Sequence, residues 1–506
     1  MGVRSTNAGV SSSARIAARN AITAAVAATV IGAVASSHAA TVQWSGTNLN
    51  GLWSEPTNWV GGVVPSNGDD LVFPSLVAGT TRVMTNDLLT SVNSMTNSGG
   101  AYTYAGNNLT VNSHSSTASG SGSGFAYNAA ITAPAGGLAL SNTGTFRQES
   151  FADIGGSGGV TLSGTGTFRW ATVAKTFGGN LTINGGTLDL PTNNDILPFG
   201  AGKGNVTVNS PGVLTLNNTS QQINGLNGSG TINKIGSNGR TLTFGHNNAS
   251  GNFTGTFTEA TATLFLTKTG NGTQAINGGS ISRGVTVNGG TLLVNGTTTF
   301  TGSSTDADWN TNIGATIGGN GSVSLFDIFA VNNGGTAAPG GIGSTGTFNV
   351  TAGRTRFFTG SNLTVEIGGN SPGDGAGFYD QLNVLNAAPT DIAMLDSGVT
   401  LNASVLTGTT LTPADVAYLV TRADANPFGI AFANAQEGNT INLGGYTAQV
   451  TYLANWTGIQ AGSSLTGGND MALFNFQAVP EPGTAALASA GAILLRGRRN
   501  RRSSHG

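Results

Sequence analysis

The side chains in this chain that could do chemistry are few and scattered. There is no cysteine, so there are no disulfides, thiolate nucleophiles or thiolate metal sites. Of the four histidines, His38 and His505 lie in the terminal segments, which leaves His114 and His246. A Ser-His-Asp arrangement needs one histidine, but neither sits in a nucleophile-elbow pattern. His246, in GHNNASG, reads as a solvent-facing turn residue. Cleavage or elimination of polysaccharide needs paired carboxylates, or carboxylates with Arg or Lys, on one face. Asp69 and Asp70 are adjacent, so a strand sends them to opposite sides, whereas Asp306 and Asp308 can share a face but lie in the polar stretch STDADWN. An enzymatic groove would require Asp306, Asp308, Asp327, Asp374 and Asp380 to converge. GDGAGFYD, holding Asp374 and Asp380, is an isolated acidic loop. Ca²⁺ is the ion such a loop would suit, but a polar turn is the expectation. No catalytic residue, metal site or cofactor is expected. The Gly-rich stretches are not followed by Lys-Ser/Thr and match no phosphate loop. Trp44, Trp53 and Trp59 could stack on sugars, but their expected role is to cap the end of a repeat array.

The elements that must position these residues are short and repeated. Leu/Val-Thr-Ile/Val-Asn occurs at residues 109–112, 181–184, 206–209 and 285–288. Apolar triplets starting at Leu138, Val160, Leu181 and Val206 are spaced by 22, 21 and 25 residues. Triplets at Leu242, Leu264 and Val285 are spaced by 22 and 21, and Gly144-Thr145-Phe146-Arg147 recurs 22 residues on as Gly166-Thr167-Phe168-Arg169. A period near 22 with several short strands fits one coil of a solenoid. Alternation sends the first and third residues of each triplet inward and the central Thr outward. Gly-Gly after the Asn, as in Asn184-Gly185-Gly186 and Asn288-Gly289-Gly290, supplies positive φ at the corner. The Asn is expected to tolerate the left-handed conformation and to hydrogen-bond the next coil. The fold class is therefore all-β, a right-handed parallel β-helix with short helical targeting segments at each end. Ordinary antiparallel sandwiches would show strand signals every 8–12 residues without the longer period.

Composition agrees. The 80 glycines and 8% charged residues suit tight turns and inward-facing strands. The net charge of −2 hides an asymmetry. Arg4, Arg15 and Arg19 stand near the start, and Arg496, Arg498, Arg499, Arg501 and Arg502 near the end. This leaves 12 basic residues against 22 acidic ones in the body. An acidic body disfavours nucleic acid as a partner.

Both ends read as addresses. Residues 1–39 hold an Arg-bearing n-region, the apolar run AITAAVAATVIGAVA and the small-x-small site Ser37-His38-Ala39, which places signal cleavage between Ala39 and Ala40. At the other end come Val479-Pro480-Glu481-Pro482, the thirteen uncharged residues 483–495, and the Arg cluster. As a helix that run rises about 20 Å, short of the roughly 30 Å bilayer core. The arginines would hold it on the cytoplasmic side. This tripartite end resembles the PEP-CTERM sorting signal of exopolysaccharide-producing Gram-negative bacteria. The resemblance implies that an exosortase-like membrane peptidase cuts the chain, which would be its substrate after Sec export.

The body also carries a resemblance. LTKTGNGTQAINGG (266–279) with GVTVNGGTLLVNG (284–296), and FGGNLTINGGTLDL (177–190), are similar to the autotransporter-associated β-strand repeat. GATIGGNGSVS and GGTAAPGGIGSTGTFNV resemble the block that follows such repeats. LTVEIGG, YDQLNV and Gly468-Asn469-Asp470 resemble the closing region, and Trp44, Trp53, Asn58, Trp59, Pro65 and Asp69–Phe73 the opening one. An autotransporter ends in a membrane barrel of alternating strands. This chain ends in the sorting-like signal, so only the passenger-like solenoid carries over. The expected organisation is signal peptide 1–39, opening segment 40–100, solenoid 101–350, closing region 351–478 and sorting signal 479–506. The function expected is that of a non-enzymatic structural or adhesive protein, exported to the cell surface or matrix. Membrane attachment through 483–495 would be transient, and the ligand class an extracellular polysaccharide. The alternative is a polysaccharide-active lyase or glycosidase.

Overall fold

The computed structural model describes residues 39–479, apart from 49, 76–80, 121, 261–262, 282, 300–307, 386–393 and 425. Asp306, Pro480, Glu481, Pro482, the run 483–495 and the C-terminal arginines lie outside the described residues, as does the signal segment before Ala39. No helix among the described residues is long and apolar enough to cross a membrane.

The chain is a parallel β-solenoid. Short strands wind into coils, and each strand pairs in parallel with its counterpart one coil on. One sheet runs from Thr41–Gln43 to Leu226–Asn227. A second runs the length of the solenoid, and a third from Gln221–Gln222 to Arg354–Phe357. The 22-, 21- and 25-residue spacings are the coil lengths: Leu138 pairs with Val160, Val160 with Leu181, and Leu181 with Val206. The triplets point as alternation requires, with Leu181 and Ile183 buried around half-buried Thr182, and Val206 and Val208 around Thr207.

Three registers differ from the expected ones. Leu242 pairs with Leu266, not Leu264, Val285 also pairs with Leu266 and not Leu264, and Phe168 pairs with Gln148, not Phe146. All three slips are of two residues, which keeps every side chain on its own face. Face is set by burial, whereas the exact partner depends on loop length, which the motif does not encode.

Inside, like stacks on like. Leu71, Met95, His114, Leu140, Leu162, Ile183 and Val208 form one buried column. Asparagines form ladders at the corners. Asn209 Nδ2 donates to Asn184 Oδ1 at 2.8 Å, Asn312 to Asn288 at 2.7 Å and Asn332 to Asn312 at 2.8 Å. The left-handed conformation there falls to glycine, at Gly186 (φ 68°) and Gly290 (φ 60°), and not to the preceding asparagine. A Cβ at Gly290 would lie 2.4 Å from the Gly272 carbonyl oxygen of the coil below.

The first coil is closed by Trp44, Trp53 and Trp59, all buried. Trp44 meets Trp59 edge-on at 4.9 Å, Trp53 lies 5.7 Å from Tyr104, and Trp59 Nε1 donates to the Trp53 carbonyl at 2.8 Å. The expected capping role is thus observed, and it removes these indoles from solvent. At the other end the parallel ladder gives way to antiparallel pairing among Val416–Arg422, Thr440–Asn442, Tyr446–Ala454 and Asp470–Ala478.

Candidate functional site: a polar ribbon and a buried-edge charge cluster

Wherever a strand of the first sheet buries two alternate residues, the residue between them is left facing outward. Ala139, Thr161, Thr182 and Thr207 are such residues, and in register with them Asp70, Ser94, Ser113 and Asn227 complete one row of incompletely buried side chains. The strand spacing puts them about 4.8 Å apart. The result is a ribbon mostly of hydroxyls and amides, broken by the methyl of Ala139, whose one charged member is Asp70. Two shallow grooves lie along it and share Asn112 as a lining residue. One, of about 660 Å³, is bounded by Pro134–Leu138, Thr161, Asn180 and Thr182. The other, of about 740 Å³, is bounded by Ala39, Ser66–Asp69, Ser91 and Asn93. Neither is lined by an aromatic or basic side chain.

A charge cluster on the second sheet was not foreseen from sequence. Gln148–Ser150 stack on Phe168–Trp170, which in turn stack so that Glu149, Arg169 and Asp189 fall in one row. Arg147 Nε lies 2.9 Å from Glu149 Oε1, Arg169 bridges Glu149 at 3.5 Å, and it bridges Asp189 at 3.6 Å. The Glu149 side chain is only 3% exposed, and it also accepts a hydrogen bond from Ser123 Oγ. Burial raises the Asp189 carboxyl above its ordinary range, and Arg169 and Arg147 oppose that rise. The two carboxylates stand two coils apart, roughly 10 Å along the axis.

The residues singled out from sequence go elsewhere. Asp69 and Asp70 diverge as expected. Asp69 accepts backbone N–H groups from Ala40 and Ser66, while Asp70 accepts Asn93 Nδ2 and Ser94 Oγ. Asp308 begins Asp308–Thr311 on the third sheet. Asp327 pairs with Arg354 at 2.9 Å. Asp374 is exposed in its loop, but Asp380 is fully buried, which corrects the expectation of a polar turn. Its carboxylate accepts the Gly346 N–H at 2.6 Å and the Glu366 N–H at 2.7 Å. It also lies against the Glu366 carboxyl, which accepts the Gly343 N–H at 2.9 Å. Burial and the neighbouring carboxyl raise Asp380 far above the carboxylate range, so the pair holds a proton at neutral pH. A carboxyl already engaged by N–H donors is not aimed at a cation. Among the described residues no group of three or more His, Asp or Glu is placed to hold a metal ion.

His114 lies in the interior column between Met95 and Leu140. Its Nδ1 is bonded to Tyr127 Oη and Gln148 Nε2, and its ring is edge-on to Phe125 at 4.3 Å. Burial lowers its pKa to about 3, so it is neutral. His246 is not fully solvent-facing: it is half-buried in a turn whose Asn247 and Asn248 are exposed, and its ring lies 5.0 Å from Phe199. Ala39 and Ala40 lie at the edge of the first sheet. Val479 is 44% exposed, and its N–H donates to the Gly445 carbonyl.

The lysines are the other surprise. Lys175, Lys234 and Lys268 are buried, and each ammonium donates to backbone carbonyls at a corner. Lys175 Nζ reaches Ser150, Ala152 and Val173, and Lys268 Nζ reaches Thr269, Gly270 and Gly289. Burial lowers both to about 8.

No protein-family model matches this chain, and no curated protein matches it significantly.

Proposed function

We propose that this chain is an exported structural or adhesive protein of the bacterial cell surface or extracellular matrix, whose first sheet presents a binding face for neutral polysaccharide. The observation that carries the proposal is the ribbon from Asp70 to Asn227. It is a row of mostly hydroxyls and amides at strand spacing, interrupted by the Ala139 methyl, grooved and almost uncharged. Such a row can trade hydrogen bonds with water for hydrogen bonds with sugar hydroxyls along an extended chain. The terminal segments support the export half of the proposal. A small-x-small site precedes Ala40, and Val479-Pro480-Glu481-Pro482 with its apolar run and arginines resembles a signal cut by an exosortase-like peptidase. Sec machinery and that peptidase are the processing partners. Glycan-array binding and pull-down with cell-wall polymer test the ribbon. Retention of the wild type on neutral polysaccharide, weakened in Thr161→Glu and Thr182→Glu, supports it. Retention on no extracellular polymer reduces the protein to a spacer.

A second reading is favoured by the Arg147–Glu149–Arg169–Asp189 cluster, which has the carboxylate and guanidinium content of a polysaccharide-cleaving site. It requires release of shortened products from an acidic polysaccharide, abolished by Glu149→Gln and Asp189→Asn.

A further inference from the structure

We infer that hydrolysis of the Ala39–Ala40 bond creates an ion pair between the new α-ammonium of Ala40 and the Asp69 carboxylate, which clamps the first strand onto the solenoid. The inference rests on the export reading and concerns what processing does to the fold. In the intact chain the Ala40 N–H is a neutral amide donating to Asp69 Oδ1 at 3.0 Å. Asp69 is already held in place. Its Oδ2 accepts the Ser66 N–H at 2.8 Å, and its carbonyl accepts the Asn93 N–H at 3.0 Å. On the other side of the same peptide unit the Asp70 N–H donates to the Ala40 carbonyl at 2.8 Å, and Thr41–Gln43 then pairs in register with Asp70–Val72.

Hydrolysis adds the water oxygen to the Ala39 carbonyl carbon and breaks the C–N bond. Ala39 leaves as a carboxylate, and the Ala40 nitrogen keeps its amide proton and takes both protons of the water to become an ammonium. The atom that carried one donor now carries three donors and a full positive charge, at the same place, facing the same carboxylate. The leaving carboxylate departs with its segment and does not compete. The groove around this point is lined by Ala39, Asp69 and neutral residues that include Ser66, Asn67, Asn93 and Asn112, so no basic side chain of its lining competes for Asp69. Asp70, the next carboxylate, has its Oδ1 engaged by Asn93 and Ser94. The strand that is clamped carries Val42 and Trp44 into the interior. Processing therefore tightens the element that closes the hydrophobic end of the solenoid.

The test uses the full chain expressed through an export pathway, in processed form and in an Ala39→Tyr form whose small-residue site is lost. Intact mass identifies the N-terminus, and hydrogen exchange reads the protection of residues 41–45. Asp69→Asn is expected to cost about two- to five-fold more protection in the processed chain than in the unprocessed one, the range of a part-exposed ion pair. The excess shrinks in about 1 M salt, where charges are screened within about 3 Å. Selective Nα-acetylation of the processed wild type should reproduce the loss without any substitution. Cleavage after Ala39 with an equal Asp69→Asn effect in both chains overturns the ion pair alone, as does a new N-terminus elsewhere. A chain that is neither exported nor cleaved overturns the export reading itself.

Discussion

Glu366→Gln should make the protein's stability less dependent on pH, because Asp380 and Glu366 form a buried carboxyl pair that holds a proton. In the unfolded chain both carboxyls are ionised above about pH 5. In the folded chain burial and the neighbouring carboxyl keep one proton bound far above that range. The folded state therefore binds one proton more than the unfolded state between the unfolded carboxylate pKa and the raised folded one. Stability from this pair is fully present below the unfolded pKa and is lost as pH rises toward the folded value. One excess proton gives a slope of about −1.4 kcal/mol per pH unit. In Glu366→Gln the amide oxygen can keep the Gly343 N–H that Oε1 accepts, and the amide nitrogen can donate to the Asp380 carboxylate. Asp380→Asn is the contrasting change. Both Asp380 oxygens accept backbone N–H groups, so an amide nitrogen must face one donor, at a cost of about 1–3 kcal/mol. Urea unfolding at pH 6, 7 and 8 measures both variants against the wild type, and contributions of other titrating groups cancel in the difference. Burial of Asp380 persists in the variant, so between pH 6 and 8 the wild type should lose up to about 3 kcal/mol relative to Glu366→Gln. Parallel stability profiles for the two would refute the shared proton.

Other consequences are open to the same kind of measurement. Lys268→Met leaves corner carbonyls of Thr269, Gly270 and Gly289 without their donor and should destabilise by about 1–3 kcal/mol per carbonyl that water cannot reach. Burial lowers Lys268 to about 8, so the unfolded chain binds the extra proton between there and the ordinary lysine value. The wild type should accordingly gain stability relative to Lys268→Met as pH rises above 8, and a fixed difference would contradict this. Tyr102 and Tyr104 are raised to about 12 by burial. Their contribution is complete below the unfolded value near 10 and falls as pH climbs from there to 12, which difference spectroscopy would record as two late-ionising phenols. Gly290→Ala, at positive φ with a carbonyl 2.4 Å from the new Cβ, should lower the melting temperature more than Gly444→Ala, also at positive φ but in open space.

Much of this was legible in the sequence because a solenoid repeats one local rule. Inward and outward parity follows from the Thr-centred triplets, and coil length from their spacing. Parity also contained signals that went unused. Lys268 is two residues beyond Leu266 on a strand whose alternate residues are buried, and Asp380 is two residues before Leu382. Both therefore face inward, and only the assumption that charges lie outside hid them. Glu366 carries no such signal. It has outward parity between buried Val365 and Ile367, and it is covered by the loop whose Gly343 donates to it. Glu149, Arg169 and Asp189 lie 20 residues apart in steps and meet only because the register is two residues off the motif spacing. The two-residue slips at Leu242 and Phe168 have the same origin, in corner loops of unequal length that no strand motif records.

The central claim, an exported solenoid acting at the cell surface, is tested most directly by cell fractionation with intact-mass measurement of both termini. The account predicts a surface or extracellular protein beginning at Ala40 and trimmed near Pro480-Glu481-Pro482. A cytosolic protein retaining both end segments would contradict it.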